Sequence, residues 1–108
     1  MPDTRDFEER RSTQPTKMSR GDFQTLVREF TVAGKVRYTR HATQDHPERK
    51  ITTSMIRNCL LKGTVIVDPF LDMRGNWKAD IYRHGAGQEL TVPVAIFWER
   101  HVLVITAF

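Results

Sequence analysis

Two side chains that can act on a proton or on a phosphate, His41 and Arg49, flank one short polar stretch of this 108-residue chain. A histidine can take up or release a proton near neutral pH. A planar guanidinium can bind two phosphate oxygens at once and can stabilise charge that develops during a reaction. The residues alone leave open a strand-end capping role for His41 and a surface ion pair of Arg49 with Asp45 or Glu48.

An amphipathic helix is expected to follow this stretch and to position it. The apolar residues after Lys50 recur with the 3.6-residue period of a helix, which predicts a helix over residues 53–62. Thr52 can cap its first turn, and Gly63 is expected to end it in the left-handed conformation. A strand predicted over residues 36–40 holds the other end of the loop. The segment between them is therefore the expected functional site.

Positive charge is concentrated in residues 36–62. Six Lys or Arg side chains stand there against two acidic ones, so the segment carries the formal net charge of the whole chain, +4. Such a segment is typical of a protein that binds a polyanion, while a solvated helix face is the alternative for any single cation. Tyr82 can stack on a base, and its neighbour Arg83 must point to the opposite face of a strand. The predicted nucleic-acid-binding residues are Arg37, Arg40, Lys50, Arg57, Tyr82 and Arg83.

The composition indicates one globular domain, because 39% hydrophobic residues suffice for a single core in a chain of this length. No apolar run reaches the roughly 18 residues of a membrane span, and the polar N-terminus lacks the apolar region of a secretory signal. The lone Cys59 on the apolar helix face fits a reducing cytoplasm. No metal-ligand spacing, glycine-rich phosphate loop or nucleophilic triad is evident, so we expect no metal and no cofactor.

The first third of the chain predicts an arm and a helix. Residues 1–18 are polar and are expected to form a flexible or loosely docked arm, which leaves residues 19–108 as the folded domain. An apolar stripe predicts a helix near residues 20–33. Ser19 is its expected N-cap and Gly34 its expected end.

The second half of the chain alternates with a period of two, which predicts strands. Pro93 cannot donate to a strand ladder, so its strand should lie at an edge or contain a bulge. The last apolar run should be an internal strand with Val102 and Val104 buried. These patterns predict an α+β domain with a mainly antiparallel sheet of four to five strands covered by two or three helices. The predicted strands cover residues 36–40, 64–71, 77–83, 89–97 and 101–107.

One motif resembles a known family. Over about residues 36–108 the chain resembles a small prokaryotic family, the domain-of-unknown-function family 4258. The resemblance rests on a pattern of H-A, a short polar stretch, R-x-I-T, an apolar helix and G-x-V-x-x-D. The motif begins at His41-Ala42 and continues through Arg49, Ile51-Thr52, Gly63, Val65 and Asp68.

That family is grouped with the barnase–EndoU–colicin–RelE superfamily of small ribonuclease and toxin domains. The resemblance implies a helix-covered antiparallel sheet whose concave face carries the site. By position it implies His41 as the base or acid, Arg49 as the phosphate clamp and Thr106 as the hydroxyl that positions the phosphate. From the residues alone, Thr106 is a strand hydroxyl bonded to a neighbour.

The function implied by the resemblance is that of a toxin-like, metal-independent endoribonuclease of a toxin–antitoxin or mobile-element system. Its expected partners are RNA, free or ribosome-associated, and an antitoxin protein. The alternative is a non-enzymatic module of a phage or mobile element that uses the same fold to bind nucleic acid or another protein.

Overall fold

A computed structural model of the chain describes residues 13–85 and 87–108. Within these residues one mixed sheet of six strands carries α-helices over residues 20–32 and 53–62 on one face, which confirms the predicted α+β class. The sheet has one strand more than the upper expectation. The elements are α1 (Arg20–Val32), β1 (Val36–Tyr38), a 3₁₀ turn (Pro47–Arg49), α2 (Thr53–Lys62), β2 (Thr64–Val65), β3 (Phe70–Leu71), β4 (Trp77–Gly85), β5 (Gln88–Phe97) and β6 (His101–Val104).

The strand order is β1-β6-β5-β4-β2, and β3 also pairs with β4. β6 is parallel to β1 and antiparallel to β5, so it is internal, as its apolar composition predicts. Val102 and Val104 are fully buried, which confirms the prediction for this strand. The strand predicted over residues 64–71 is instead divided into β2 and β3, because Asp68-Pro69 interrupts it.

Both ends of helix α1 have the caps that its sequence predicts. Ser19 Oγ accepts a hydrogen bond from Asp22 N at 3.0 Å at the start of the helix. At the other end Gly34 has a φ of 74°, and Lys35 N donates back to Phe30 O at 2.8 Å. These are the features of a Schellman motif, in which a left-handed glycine satisfies the last carbonyls.

Helix α2 begins with the predicted cap, but the conformation at its C-terminal end differs from the prediction. Thr52 caps its first turn, with Oγ1 accepting from Met55 N at 3.2 Å. Gly63 has a φ of −76°, so the expected left-handed conformation is wrong. Glycine is required there for a close approach, because a Cβ atom would lie 2.5 Å from Cys59 O and 2.7 Å from Ile81 Cγ2.

Pro93 lies in β5, which is internal rather than at an edge, and it lies beside a bulge. Val94 pairs with Val104, and Thr91 exchanges two backbone hydrogen bonds with Phe108. These two pairs are three residues apart on β5 but four residues apart on the chain that follows β6. One extra residue is therefore inserted between these pairs on the chain that follows β6. Ile105 N donates to Pro93 O at 3.0 Å, but Pro93 has no N–H to return this bond, and Ile105 O accepts from Thr39 Oγ1 instead.

The predicted N-terminal arm lies partly outside the described residues, which begin at Thr13. The part that the structure describes contacts the domain through two indole groups. Trp77 Nε1 donates to Pro15 O at 3.0 Å, and Trp98 Nε1 donates to Thr13 Oγ1 at 3.0 Å. Within the described ranges, neither helix has the length and apolarity that a membrane crossing requires.

Candidate functional site

The loop after β1 begins with a helical turn that sets His41 beside Asp45. Asp45 N donates to His41 O at 3.2 Å, and residues four apart on such a turn face the same side. His41 Nδ1 accordingly lies 3.2 Å from Asp45 Oδ1. Ala42, between them in sequence, is buried in the core and anchors the turn to the domain.

Thr106 contacts the other oxygen of the same carboxylate. Its Oγ1 lies 2.7 Å from Asp45 Oδ2. Because an ionised carboxylate can only accept hydrogen bonds, the Thr106 hydroxyl must donate to one oxygen and His41 Nδ1 must donate to the other. Nε2 then becomes the basic nitrogen of the neutral His41 ring. The His41 side chain is 68% exposed, so a substrate can reach it.

The bulge after β6 explains why Thr106 faces this loop. Regular alternation from Val104 would place Thr106 on the buried face. The inserted residue shifts the alternation, so that Ala107 occupies the next buried position while Thr106 stays partly exposed. Thr39 Oγ1 donates to Ile105 O at 2.5 Å and ties the bulge to the end of β1.

Arg49 is bonded across the loop to the start of β5. Its Nη2 donates to the main-chain oxygen of Glu89. The carboxylates near it in sequence have other partners, since Asp45 pairs with His41 and Glu48 Oε1 lies 3.3 Å from His46 Nδ1. The structure thus does not show the ion pair that the sequence left open for Arg49. One guanidinium nitrogen is used by the fold, and the remaining N–H groups can meet an anion.

His46 forms the second histidine–carboxylate pair of the loop. Its ring centroid lies 6.2 Å from that of Phe108, in a tilted arrangement. Asp45, its neighbour in the chain, bonds to Thr106, which precedes Phe108 by two residues. The loop therefore runs along the C-terminal stretch of the sheet, and His46 stays close to the carboxylate that orients His41.

Tyr82 and Arg83 lie on opposite faces of the sheet, as strand geometry predicts. Tyr82 OH donates to Glu89 Oε1 at 3.1 Å. Partial desolvation, together with the Glu89 carboxylate, raises the pKa of Tyr82, so the phenol remains a hydrogen-bond donor at neutral pH. Arg83 lines a small pocket under α2 beside Cys59. Burial raises the pKa of the Cys59 thiol to about 11, against the opposing charge of Arg83, which makes this thiol unreactive.

The other predicted nucleic-acid-binding cations do not form one surface. Arg40 and Lys50 are exposed in the loop that carries the two histidines. Arg57 lies on α2, close enough to Tyr38 for its charge to oppose the burial that raises the pKa of this phenol. Arg37 is paired opposite Leu103 and so belongs to the sheet face that the helices leave open. The structure brings together only the loop cations with His41 and Arg49.

Four residues of this site are not among the site residues that the sequence predicts: Asp45, His46, Glu48 and Glu89. The four-residue spacing of His41 and Asp45 is a signal that could have revealed the first pair, since it is the spacing of one helical turn. Glu89 gives no such signal. It contributes its main-chain oxygen to Arg49 and its carboxylate to Tyr82, and both contacts depend on how the loop meets β5.

Within residues 13–85 and 87–108, no three His, Cys, Asp or Glu side chains are grouped to hold a metal ion. A family model described as "Domain of unknown function (DUF4258)" matches residues 38–108, which is more than half of the chain. The match begins at the last residue of β1 and includes the whole of the loop, β6 and the stretch after β6 that carries Thr106. No curated protein matches the chain.

Proposed function

Since the chain belongs to the family of the domain of unknown function DUF4258, whose description names no activity, we propose from its own site that it is a metal-independent endoribonuclease. The observation that supports this most strongly is the Asp45 carboxylate shared by His41 and Thr106. A carboxylate that holds one nitrogen of an exposed histidine fixes the tautomer and leaves the other nitrogen for proton transfer.

In the proposed reaction His41 Nε2 removes the proton of an RNA 2′-hydroxyl. The 2′-oxygen attacks the adjacent phosphorus, and the bond from phosphorus to the 5′-oxygen breaks. The products are a 2′,3′-cyclic phosphate and a 5′-hydroxyl, with no co-reactant. Thr106 acts on the carboxylate, so it is a positioning residue for His41 in this scheme rather than a direct ligand of the phosphate.

The leaving 5′-oxygen needs a proton, and the charged phosphorane needs a cation. His46 is the candidate proton donor in its protonated form, in which Nδ1–H is held by Glu48 and Nε2–H is left to give its proton to the leaving oxygen. The free N–H groups of Arg49 supply the charge stabilisation. The hydrogen bond of Arg49 to β5 limits the motion of the guanidinium, which favours a fixed clamp.

The resemblance to the barnase–EndoU–colicin–RelE superfamily supports a toxin-like role within this proposal. The expected setting is the cytoplasm of a prokaryote, in a toxin–antitoxin or mobile-element system. RNA, free or on the ribosome, would be the substrate, and an antitoxin protein would be the inhibitor.

A non-enzymatic binding module is the second candidate, and the bond from Arg49 to the Glu89 main chain favours it. An arginine that donates a hydrogen bond to the main chain of another element has a structural role that requires no catalysis. The exposed cations of the loop, Arg40 and Lys50, would bind nucleic acid or an acidic protein surface without any chemistry.

Cleavage of a fluorescently labelled single-stranded RNA by the purified protein, with EDTA present, tests the proposal. We expect cleavage of RNA, no cleavage of a copy with 2′-deoxyribose throughout, and cyclic phosphate ends on the products. His41→Ala should abolish most of the activity. His84→Ala is the matched control, because His84 is an exposed histidine on β4 outside the loop.

Cleavage of the all-deoxy strand, or full activity in His41→Ala, would contradict the mechanism. Binding of RNA without cleavage by the unaltered protein would instead support the binding module.

A further inference from the structure

A second basic site lies at the opposite end of the β1–β6 pair from Thr106. Gly34, Lys35, Val36, Arg37, Arg100 and His101 line a cleft where the chain enters β1 and β6. Burial, followed by the charges of Arg37 and Arg100, lowers the pKa of His101, so both guanidinium groups lie near this ring.

The backbone fixes where each cation of this cleft stands. Lys35 follows the Schellman motif of α1, and its carbonyl oxygen accepts from Val102 N at 3.0 Å. Arg37 is held by its pairing opposite Leu103. Arg100 lies in the tight turn between β5 and β6, where its N–H donates to Phe97 O at 2.8 Å. The three cations are therefore presented by regular, hydrogen-bonded structure.

These cations have no acidic partner in the described part of the chain. The ion pairs there join other residues, and no carboxylate lines the cleft. Two of the carbonyls at the end of α1, which would repel an anion, already accept hydrogen bonds: Thr31 O from Gly34 N and Phe30 O from Lys35 N. Three unpaired cations around a concave site are the usual arrangement for a phosphate group.

We propose that the cleft formed by Lys35, Arg37, Arg100 and His101 is a phosphate-binding subsite that holds the RNA backbone away from the bond that is cleaved. This inference rests on the proposed ribonuclease function and adds the class of substrate, a single strand long enough to reach from His41 to the cleft. Five residues of extended chain separate His101 from Thr106, which is about 16 Å at 3.3 Å per residue.

The sheet surface between the two sites suits a single strand. Phe97, Leu103 and Ile105 line a groove on the open face, together with Thr39 at the end of β1. The ring centroids of Phe97 and His101 lie 4.7 Å apart with the planes tilted by 33°, so two aromatic rings adjoin the phosphate cleft. Aromatic side chains beside a basic groove bind successive bases and phosphates of single-stranded nucleic acid.

The first experiment probes the cleft with inorganic phosphate alone. Amide signals of the full chain are followed by NMR during titration with phosphate, against chloride at equal ionic strength. We expect saturable shifts at Arg37, Arg100 and His101 that disappear in Lys35→Gln/Arg100→Gln. The same outcome without RNA cleavage would remove the proposed function and retain a phosphate site. Absence of saturable shifts would overturn the inference, whatever the protein does with RNA.

The second experiment compares a dinucleotide with a longer single-stranded RNA. Lys35→Gln/Arg100→Gln should leave cleavage of the dinucleotide unchanged and weaken binding of the longer strand. The slope of log affinity against log salt should fall by about 0.7 for each phosphate contact that is lost.

Lys17→Gln/Lys62→Gln is the control of equal charge. Lys17 precedes α1 and Lys62 adjoins β2, four strands from β1, so both lie outside the cleft. An equal effect of this control, an effect on the dinucleotide, or no effect on the longer strand would each overturn the assignment.

Discussion

The polar side chains at the two ends of the β1–β6 strand pair differ in whether they have hydrogen-bond or ion-pair partners. At the Thr106 end, one carboxylate accepts from both the hydroxyl and His41, and each group is held by a partner. At the His101 end, Lys35, Arg37 and Arg100 share a cleft that no carboxylate of residues 13–85 and 87–108 lines. Groups that are partnered have fixed positions, whereas groups that are unpartnered keep their full charge for a ligand.

This contrast separates two requirements of a nucleic-acid enzyme. Proton transfer needs atoms within hydrogen-bond distance of the substrate, so it depends on positions fixed by hydrogen bonds. Affinity for a polyanion depends on charge that acts over about 10 Å and needs no close geometry. Under our proposals, one parallel strand pair supports the chemistry at one end and the binding at the other.

The largest expected effect is that of His41→Ala, which should lower the rate of RNA cleavage by about 10²–10⁴-fold, the usual contribution of a general acid–base group. Binding of RNA should change little, because the His41 side chain is largely exposed and does not pack in the core. Cleavage rates and the dissociation constant for a non-cleavable RNA measure the two quantities separately. Equal losses in cleavage rate and in RNA affinity would contradict the separation of chemistry at the Thr106 end from binding at the His101 end.

Arg49→Ala should lower the cleavage rate by about 10²-fold, the low end for loss of one charge-stabilising donor, and should also weaken binding. Arg49→Lys should restore only part of the activity, because an ammonium group cannot form a two-pronged contact. Kinetics of both variants at several RNA concentrations will measure this. Thermal melting serves as the control, since the bond to Glu89 makes Arg49 part of the fold. Full rescue by lysine would show that charge alone suffices at this end.

Thr106→Val should cost about 1 kcal/mol, the net value of one hydrogen bond, or about a fivefold loss in cleavage rate. The valine keeps the branched shape and removes the donor to Asp45. Thr106→Ser should recover the rate, and the pH–rate profile should move in the valine variant and return in the serine variant. A binding defect with an unchanged pH profile would indicate that Thr106 contacts the phosphate itself, as the family resemblance implies.

The smallest expected effect is a change in the titration of His101, observed by NMR. Burial, and then the charges of Arg37 and Arg100, hold the pKa of His101 below its ordinary value of about 6.5. Arg100→Gln should raise this pKa, and bound phosphate should raise it as well, because an anion favours the protonated ring. Unchanged titration in both cases would mean that the cleft charges do not act on this ring.

Local patterns predict much of the fold, because caps and periodicities act over a few residues. Ser19, Thr52 and Gly34 perform the roles that their sequence positions indicate. The sequence correctly predicts that the helix over residues 53–62 ends at Gly63, but the left-handed conformation expected there is wrong. The need for a small side chain at Gly63 arises from the close approach of Cys59 O in the preceding turn and of Ile81 and Tyr82 on β4. The contacts with β4 are long-range and no local pattern contains them.

The site itself was only partly accessible from the sequence. The loop between β1 and α2 could be identified from charge and from the residue types of His41 and Arg49. The approach of Thr106 to Asp45 depends on the parallel pairing of β1 with β6 and on an extra residue after β6. Both are long-range properties of strand register, and the alternation of apolar residues places Thr106 on the buried face instead.

The indole contacts of the N-terminal segment provide an optical probe within the native sequence. The chain has two tryptophans, and both donate to residues 13–15 through Nε1. Release of this segment would expose two hydrogen-bonding indoles to solvent at once. The emission maximum should then shift to longer wavelength, so docking and undocking of the segment can be followed by intrinsic fluorescence without a label.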